Sequence, residues 1–199
     1  STQAKTLFPY TTLFRSRGSL SRKGPFQMAA STFLEQSLSQ GAPYWIGFGF
    51  PNTRAMQVAE RLKGATKAAA KAEVGLEVIE TPSMTVEDGR RVGEQLLQRY
   101  DSERPDGIFA ANDLVALGIM QAYIVDGRFS IPKDVAIVGY DDIAYSSTSI
   151  VPLSSVRQSP EVIGARAMEL LQAEAENEHH AVQQIVIQPE LVIRESSRR

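Results

Sequence analysis

Polar side chains that could bind a small molecule fall at two places, each directly after a short apolar run. Asn112 and Asp113 follow one run, and Asp141 and Asp142 follow the next. Asparagine both donates and accepts hydrogen bonds, and an ionised carboxylate can accept from two donors at once. Arg61, in an earlier helical stretch, adds a guanidinium that can pair with a carboxylate or with vicinal hydroxyls. These residue types suit a polyhydroxylated or amine-bearing small molecule.

Each of these residues also has a purely structural interpretation. Asn112 and Asp113 are good helix starters and could act only as caps. The two aspartates at 141 and 142 could form a turn or a loop-to-helix cap. Arg61 could lie on the surface, paired with Glu60 or Asp88. The spacing alone leaves both interpretations open.

Enzyme chemistry has less support in the sequence. Adjacent carboxylates could hold Mg²⁺ for phosphoryl transfer, but that needs an aspartate after the first strand, where residues 50–52 are Phe, Pro and Asn. A metal-assisted hydrolase using Asp113, Asp141 and Asp142 is the weaker alternative. The chain has no cysteine, only two adjacent histidines at 179–180, and no GxxxxGK[ST] loop. We therefore expect no enzyme activity, no cofactor and no metal site.

Apolar runs and helical spacings alternate over residues 43–140, and this pattern predicts the elements that position the polar residues. The helices are predicted near 53–71, after Thr85, and from Asn112 to Gly127, with Thr85 and Asp88 as a capping pair. The strands are predicted at 44–50, 76–80, 108–111 and 135–139. This order indicates a doubly wound α/β fold with a parallel sheet, in which ligands bind beyond the carboxyl ends of the strands.

The pattern loosens after Asp142. A loop with one extended piece at 153–157 is followed by a helix that begins at Ser159 and Pro160. Two short extended runs follow at 184–187 and 191–194.

Composition narrows the function classes further. The 199 residues are 43% hydrophobic and 22% charged, with a formal net charge of −2, which is ordinary for a globular protein. This balance excludes a polycationic protein that binds nucleic acid through bulk charge. Because neither an apolar run of membrane-spanning length nor a secretory signal is visible, we expect a cytoplasmic protein without membrane contact.

Several motifs occur in an order that resembles one known family. They are ERLKGA at 60–65, AANDLVALG at 110–118, IPKDVAIVGYDD at 131–142, PLSSVRQ at 152–158 and PELVIRES at 189–196. In this order they are similar to the effector-binding domain of the lactose/purine-repressor family of bacterial transcription regulators, and the match covers roughly residues 22–196. The resemblance implies a periplasmic-binding-protein-like fold of two subdomains with a cleft between them.

The resemblance also implies a site. The effector, often a sugar or nucleobase in this family, would contact Arg61, Asn112 and Asp141, with Gln158 near the cleft. Met84 stands where the family often has an aromatic residue that stacks on the ligand. That departure leaves the ligand class open, because a thioether packs without presenting a flat ring.

The resemblance further implies a domain plan and partners. Residues 22–42 and 159–180 would be remnants of an N-terminal subdomain, and 43–158 with 181–196 would form a near-complete C-terminal effector-binding subdomain. Apart from the resemblance, the run TLFPYTTLFRS at 6–16 looks like translated cloning sequence, so residues 1–21 are expected to be non-native or disordered. Operator DNA would be bound only through an N-terminal helix-turn-helix that this sequence lacks. A homodimer is expected through Leu114, Leu117 and Met120. The alternative function is a sugar-binding protein of an ABC transporter.

Overall fold

The computed structural model of the chain describes residues 44–49, 56–100, 103–176, 183 and 185–198. These residues belong to two compact units. The larger unit runs to Gln158 and resumes at Pro189, and the smaller unit lies between Ser159 and Gln188. The expectations for residues 1–21 and 22–42 lie outside the described residues, and the assignment of two subdomains stays a prediction.

The larger unit alternates strands and helices, as the sequence predicts. Its elements are β1 (Tyr44–Gly49), α1 (Met56–Ala72), β2 (Gly75–Glu80), α2 (Val86–Leu97), β3 (Gly107–Phe109), α3 (Asp113–Asp126), β4 (Ala136–Asp141), β5 (Ser154–Arg157) and β6 (Glu190–Val192). Short 3-10 helices follow β4 at Ala144–Ser147 and β6 at Glu195–Ser197. The smaller unit contains one described helix, α4 (Pro160–Glu176).

The described strands form one sheet in the order β2-β1-β3-β4-β5-β6. Its first five strands are parallel, and β6 pairs with β5 in the antiparallel direction. The predicted α/β class with a mostly parallel, doubly wound sheet is therefore confirmed. The strand order reverses at β1, which pairs with both β2 and β3, and ligands of such sheets bind at this reversal, beyond the carboxyl ends of the strands.

Local side-chain chemistry fixes where the helices of the larger unit begin and end. The Thr85 hydroxyl accepts from the Asp88 amide at 3.2 Å at the start of α2, so the predicted capping pair is confirmed. Gly127 ends α3 with a φ of 72°, a left-handed conformation that glycine adopts without a steric penalty. The amide of Gly127 donates to the Tyr123 carbonyl, which satisfies one open acceptor of the last turn.

Strand β4 is the centre of the core. Ile137 packs in an apolar cluster with residues of α2 and α3, whereas Ala136, Val138 and Tyr140 pack in a second cluster with residues of α1. Because successive side chains of a strand point to opposite faces, α1 covers one face of the sheet and α2 with α3 covers the other. The end of β4 is therefore held between two packed layers.

The structure differs from the sequence-based expectation in two places. The 3-10 helix at Ala144–Ser147 lies in a stretch predicted as loop. The predicted extended run at 184–187 forms no strand over the described residues 185–187, because the described part of the smaller unit offers no second strand for pairing. None of the helices in the described residues combines the length and apolar content that crossing a bilayer requires.

Candidate functional site

The candidate site lies where β4 ends. Asp141, the last residue of β4, has a φ of 101°, and Asp142 has a φ of 50°. Two consecutive non-glycine residues with positive φ are uncommon, and such conformations persist only when the surrounding contacts hold them. The two carboxylates consequently leave the strand in different directions and have different partners.

Arg61, on α1, reaches this edge of the sheet from inside the protein. Its side chain is only 6% exposed. The guanidinium donates from Nη1 to the carbonyl oxygen of Ala111 at 2.5 Å and lies 3.6 Å from the ring centroid of Tyr140. The interpretation of Arg61 as a surface residue is therefore wrong. Burial lowers the pKa of Arg61, and the neighbouring Asp141 carboxylate opposes that shift.

Asp141 joins two of the predicted contacts. Its Oδ1 lies 3.5 Å from Arg61 Nη2 and accepts from Gln158 Nε2 at 3.4 Å. Its side chain is 36% exposed, which leaves carboxylate surface open to solvent. Burial raises the pKa of Asp141, while Arg61 and the Gln158 amide lower it. Arg61, Asp141 and Gln158 thus form one constellation, and their role as ligand contacts stays a prediction.

The Asn112 side chain forms its described hydrogen bonds with the Met84 and Val115 backbones, and not with Arg61, Asp141 or Gln158. The Asn112 side-chain oxygen caps α3 by accepting from the Val115 amide at 2.9 Å, and its nitrogen donates to the Met84 carbonyl at 3.2 Å. The capping interpretation of Asn112 is therefore confirmed. Met84 is partly buried and packs against the core cluster of α2 and α3. A ligand-binding role for these two residues stays a prediction.

Asp113 lies beneath the site, although the sequence offers it as a small-molecule contact, a helix cap or a metal ligand. Its Oδ2 accepts from the Ile143 amide at 2.8 Å and from the Ser146 hydroxyl at 2.7 Å, and its Oδ1 accepts from the Ser155 hydroxyl at 2.6 Å. The residue is 1% exposed. Burial raises the pKa of Asp113 to about 6 against the opposing effect of these hydrogen bonds.

Asp142 is part of the scaffold. Its carboxylate accepts from Arg157 Nε and from Arg194 Nη1, each at 2.7 Å, and its side chain is 4% exposed. Burial pushes the pKa of Asp142 up, but the two guanidiniums hold it below its ordinary value. Among the described residues, no group of three acidic or histidine side chains is placed to hold a metal ion.

The residues expected at a dimer interface separate into two kinds. Leu114 is 39% exposed on α3, whereas Leu117 and Met120 are 5% and 1% exposed and pack in the core of their own chain. A partner could therefore reach Leu114 directly, while Leu117 and Met120 stabilise the helix that carries it.

Sequence reasoning missed three parts of the site. They are the Tyr140 ring under Arg61, the Ala111 carbonyl and the hydrogen-bond network of Asp113. Tyr140 lies within the motif IPKDVAIVGYDD, but nothing in a linear pattern pairs it with a residue about eighty positions earlier. The resulting arrangement offers a carboxylate acceptor, a guanidinium and an amide donor within one small region, which suits hydroxyl groups of a polar ligand.

Comparison with known proteins places this geometry in a family. The periplasmic binding protein-like domain family matches residues 35–197. The ribose operon repressor of Bacillus subtilis (strain 168) is 34% identical over 112 residues, which are 56% of this chain and 33% of that protein. The chain therefore spans about a third of the length of this relative.

Solved structures agree in fold. A regulatory protein of the LacI family from Chloroflexus aggregans superposes with a TM-score of 0.77 at 28% identity, covering 87% of this chain and 62% of that one. A LacI family transcriptional regulator from Enterococcus faecium, solved with bound ribose, has a TM-score of 0.76 at 20% identity and covers 87% of this chain and 63% of that one. The chain belongs to the periplasmic binding protein-like domain family, and within it to the effector-binding domains of the lactose/purine-repressor regulators.

Proposed function

We propose that this chain is the effector-sensing domain of a bacterial transcription regulator and that it binds a sugar at the carboxyl edge of its sheet. The observation that carries the proposal is the constellation of Arg61, Asp141 and Gln158 at the end of β4. The exposed part of the Asp141 carboxylate can accept from ligand hydroxyls, while the Gln158 amide can donate to them.

The family supports this function over an enzyme. The curated relative reported above is an operon repressor, and one structural neighbour holds ribose. In this proposal the chain performs no catalysis, works in the cytoplasm, and relays the presence of effector to an operator-binding part of the whole regulator. A sugar bound to this domain would change the balance between two conformations of that regulator.

The binding proposal is tested by titrating the isotope-labelled chain with D-ribose and following the backbone amides by NMR. We expect weak binding, near or above the millimolar range, with the largest shifts at residues 141–143 and at Gln158. Asp141→Ala should weaken it by about tenfold to a hundredfold, the range for a lost hydrogen bond to a charged group.

Two matched controls sharpen this experiment. Asp134→Asn removes a carboxylate before β4, at the opposite edge of the sheet, where it accepts from the Ser130 amide, and it should leave ribose binding unchanged. 2-Deoxy-D-ribose tests whether a single hydroxyl matters. Unchanged ribose binding by the Asp141→Ala chain would refute the site, and the absence of ribose-induced shifts near the end of β4 at about 50 mM would refute ribose as its ligand.

We also propose that the chain self-associates through the face of α3 that carries Leu114. Exposed Leu114 and Val125, at 39% and 80%, support this surface. Leu114→Glu should shift sedimentation to the monomer without unfolding the chain, because a charge at a half-exposed position stays hydrated in the monomer but would be buried in the dimer. A monomeric unmodified chain would contradict this proposal.

A further inference from the structure

The backbone directly after β4 adopts an unfavourable conformation that other contacts must stabilise. Asp141 has a φ of 101° and Asp142 has a φ of 50°. Neither residue is a glycine, and a side chain at such φ values is disfavoured in an unconstrained chain. The conformation matters because it decides where the Asp141 carboxylate lies relative to Arg61.

The amides on the far side of this bend are fixed by one buried carboxylate. Asp113 accepts directly from the Ile143 amide at 2.8 Å. It also accepts from the Ser155 hydroxyl at 2.6 Å, and the Ser155 oxygen in turn accepts from the Asp142 amide at 3.0 Å. The Ser146 hydroxyl also donates to Asp113, and this bond connects the 3-10 helix to the same carboxylate. Asp113 therefore restrains two successive amides, one directly and one through Ser155.

A second set of contacts anchors the side chain of the bend. The Asp142 carboxylate is held by Arg157 from β5 and by Arg194 after β6. With the backbone fixed by Asp113 and this side chain fixed by two arginines, the Asp141 side chain is the part of the bend that remains 36% exposed.

We propose that Asp113 is a positioning residue for the effector site: it holds the backbone after β4 in the conformation that places Asp141 between Arg61 and Gln158. This inference rests on the proposed function, because the residue that Asp113 positions, Asp141, is the proposed ligand contact. Asp113 itself is buried and acts through Asp141 rather than on the ligand.

The chemistry of the network explains why a carboxylate is needed. Three donors converge on the two oxygens of Asp113. An asparagine of the same shape would present one acceptor oxygen and one amide group. If the asparagine nitrogen faces Ser155, both that nitrogen and the Asp142 amide donate to the Ser155 oxygen. The Ser155 hydroxyl proton then loses the acceptor that Asp113 provides. The link from position 113 to the Asp142 amide then weakens.

The experiment uses the full chain with Asp113→Asn and, as a milder change, Ser155→Ala. Amide hydrogen exchange measured by NMR reports on the amides of Asp142 and Ile143, and D-ribose titration reports on the site. We expect exchange at one or both amides to accelerate by about tenfold and ribose affinity to fall by about tenfold, the order of one lost hydrogen bond. Ser155→Ala should affect chiefly the Asp142 amide.

A matched control separates positioning from general stability. Ser196 is also a fully buried hydroxyl, which donates to the Ile137 carbonyl at 2.6 Å and accepts from the Ser154 amide at 2.8 Å. Ser196→Ala should lower the melting temperature without selectively speeding exchange after β4. If it accelerates exchange at Asp142 and Ile143 as much as Asp113→Asn does, the role of Asp113 is merely structural and the inference is wrong.

The outcomes also separate this inference from the proposed function. Ribose binding that is unaffected by Asp141→Ala would refute the effector site. Hydrogen exchange at the Asp142 and Ile143 amides would still test whether Asp113 restrains the backbone after β4. If Asp141→Ala weakens ribose binding but Asp113→Asn and Ser155→Ala bind ribose like the unmodified chain, Asp113 does not position Asp141. Unchanged exchange at both amides in both variants would overturn the inference even without a bound ligand.

Discussion

Arg61 and Asp141 face each other in the site, yet we predict that their removal has very different consequences for stability. Arg61 is held chiefly by groups other than Asp141, because its Nη1 donates to the Ala111 carbonyl at 2.5 Å and its guanidinium lies 3.6 Å from the Tyr140 ring centroid. Asp141 Oδ1 lies 3.5 Å from Nη2, farther from the guanidinium than the Ala111 oxygen does, and its side chain is 36% exposed. Solvent therefore screens the ion pair more than it screens the two buried contacts.

The magnitudes follow from burial. Arg61→Met keeps an unbranched stem but leaves the buried Ala111 carbonyl without this donor, at a cost of about 1–3 kcal/mol. It also removes a desolvated cation–π contact of about 2 kcal/mol. Because the methionine recovers some packing, we expect a net loss of about 3 kcal/mol in the free energy of unfolding. That corresponds to a fall of roughly 6–12 °C in melting temperature for a chain of this size.

Asp141→Asn should cost no more than about 1 kcal/mol, the usual value of a partly exposed ion pair. Burial already disfavours the ionised form of this carboxyl, as its raised pKa indicates, so an uncharged amide is tolerated. In the Arg61→Met background the same change should cost less still, because the carboxylate has then lost its nearby cation.

Urea and thermal unfolding followed by circular dichroism would measure these differences. Arg90→Met is the matched control, since Arg90 is 57% exposed and pairs with Glu94 one turn away; its loss should be within about 0.5 kcal/mol. Equal losses for Arg61→Met and Asp141→Asn, or a larger loss for Asp141→Asn, would refute this account of what holds Arg61.

Two further predictions concern the packing and the ionisation of the same unit. Gly118→Ala should destabilise the chain by about 1–3 kcal/mol despite the better helix propensity of alanine, since a Cβ there would lie 2.7 Å from the Arg90 amide nitrogen and closer still to the Val86 carbonyl. Gly164→Ala is the control, because a Cβ there meets nothing within 4 Å, and it should stabilise α4. Denaturation curves in which Gly118→Ala is more stable than Gly164→Ala would contradict the prediction for Gly118. The pKa of Asp113 is about 6 in the folded chain against an ordinary value of 3.8, so the folded chain binds this proton more tightly and stability declines as pH rises from about 4 to about 6. Unfolding free energies of the unmodified chain relative to Asp113→Asn should therefore fall by about 3 kcal/mol over this range, and a pH-independent difference would count against it.

The alternation of strands and helices could be predicted from the sequence because it is a local property. Apolar residues at helical spacing and short apolar runs fix the type of each element, and Thr85, Asn112 and Gly127 mark helix ends through bonds to residues three or four positions away. The parallel sheet follows from that alternation, since each crossover must return the chain to the same edge. Residue type and position make Arg61 and Asp141 candidates for the site, whereas Gln158 is implied by motifs that resemble a known family.

The tertiary structure decided what each of those residues does. Arg61 lies 80 positions before Asp141, and only the packing of α1 against the sheet brings its guanidinium onto the Tyr140 ring. The separation of Asp141 from Asp142 likewise depends on Arg194, which is 52 positions later in the chain. Adjacent identical side chains cannot be told apart by composition or spacing. Here one carboxylate stays exposed and the other is buried between two arginines, because the backbone turns through positive φ values that distant contacts hold in place.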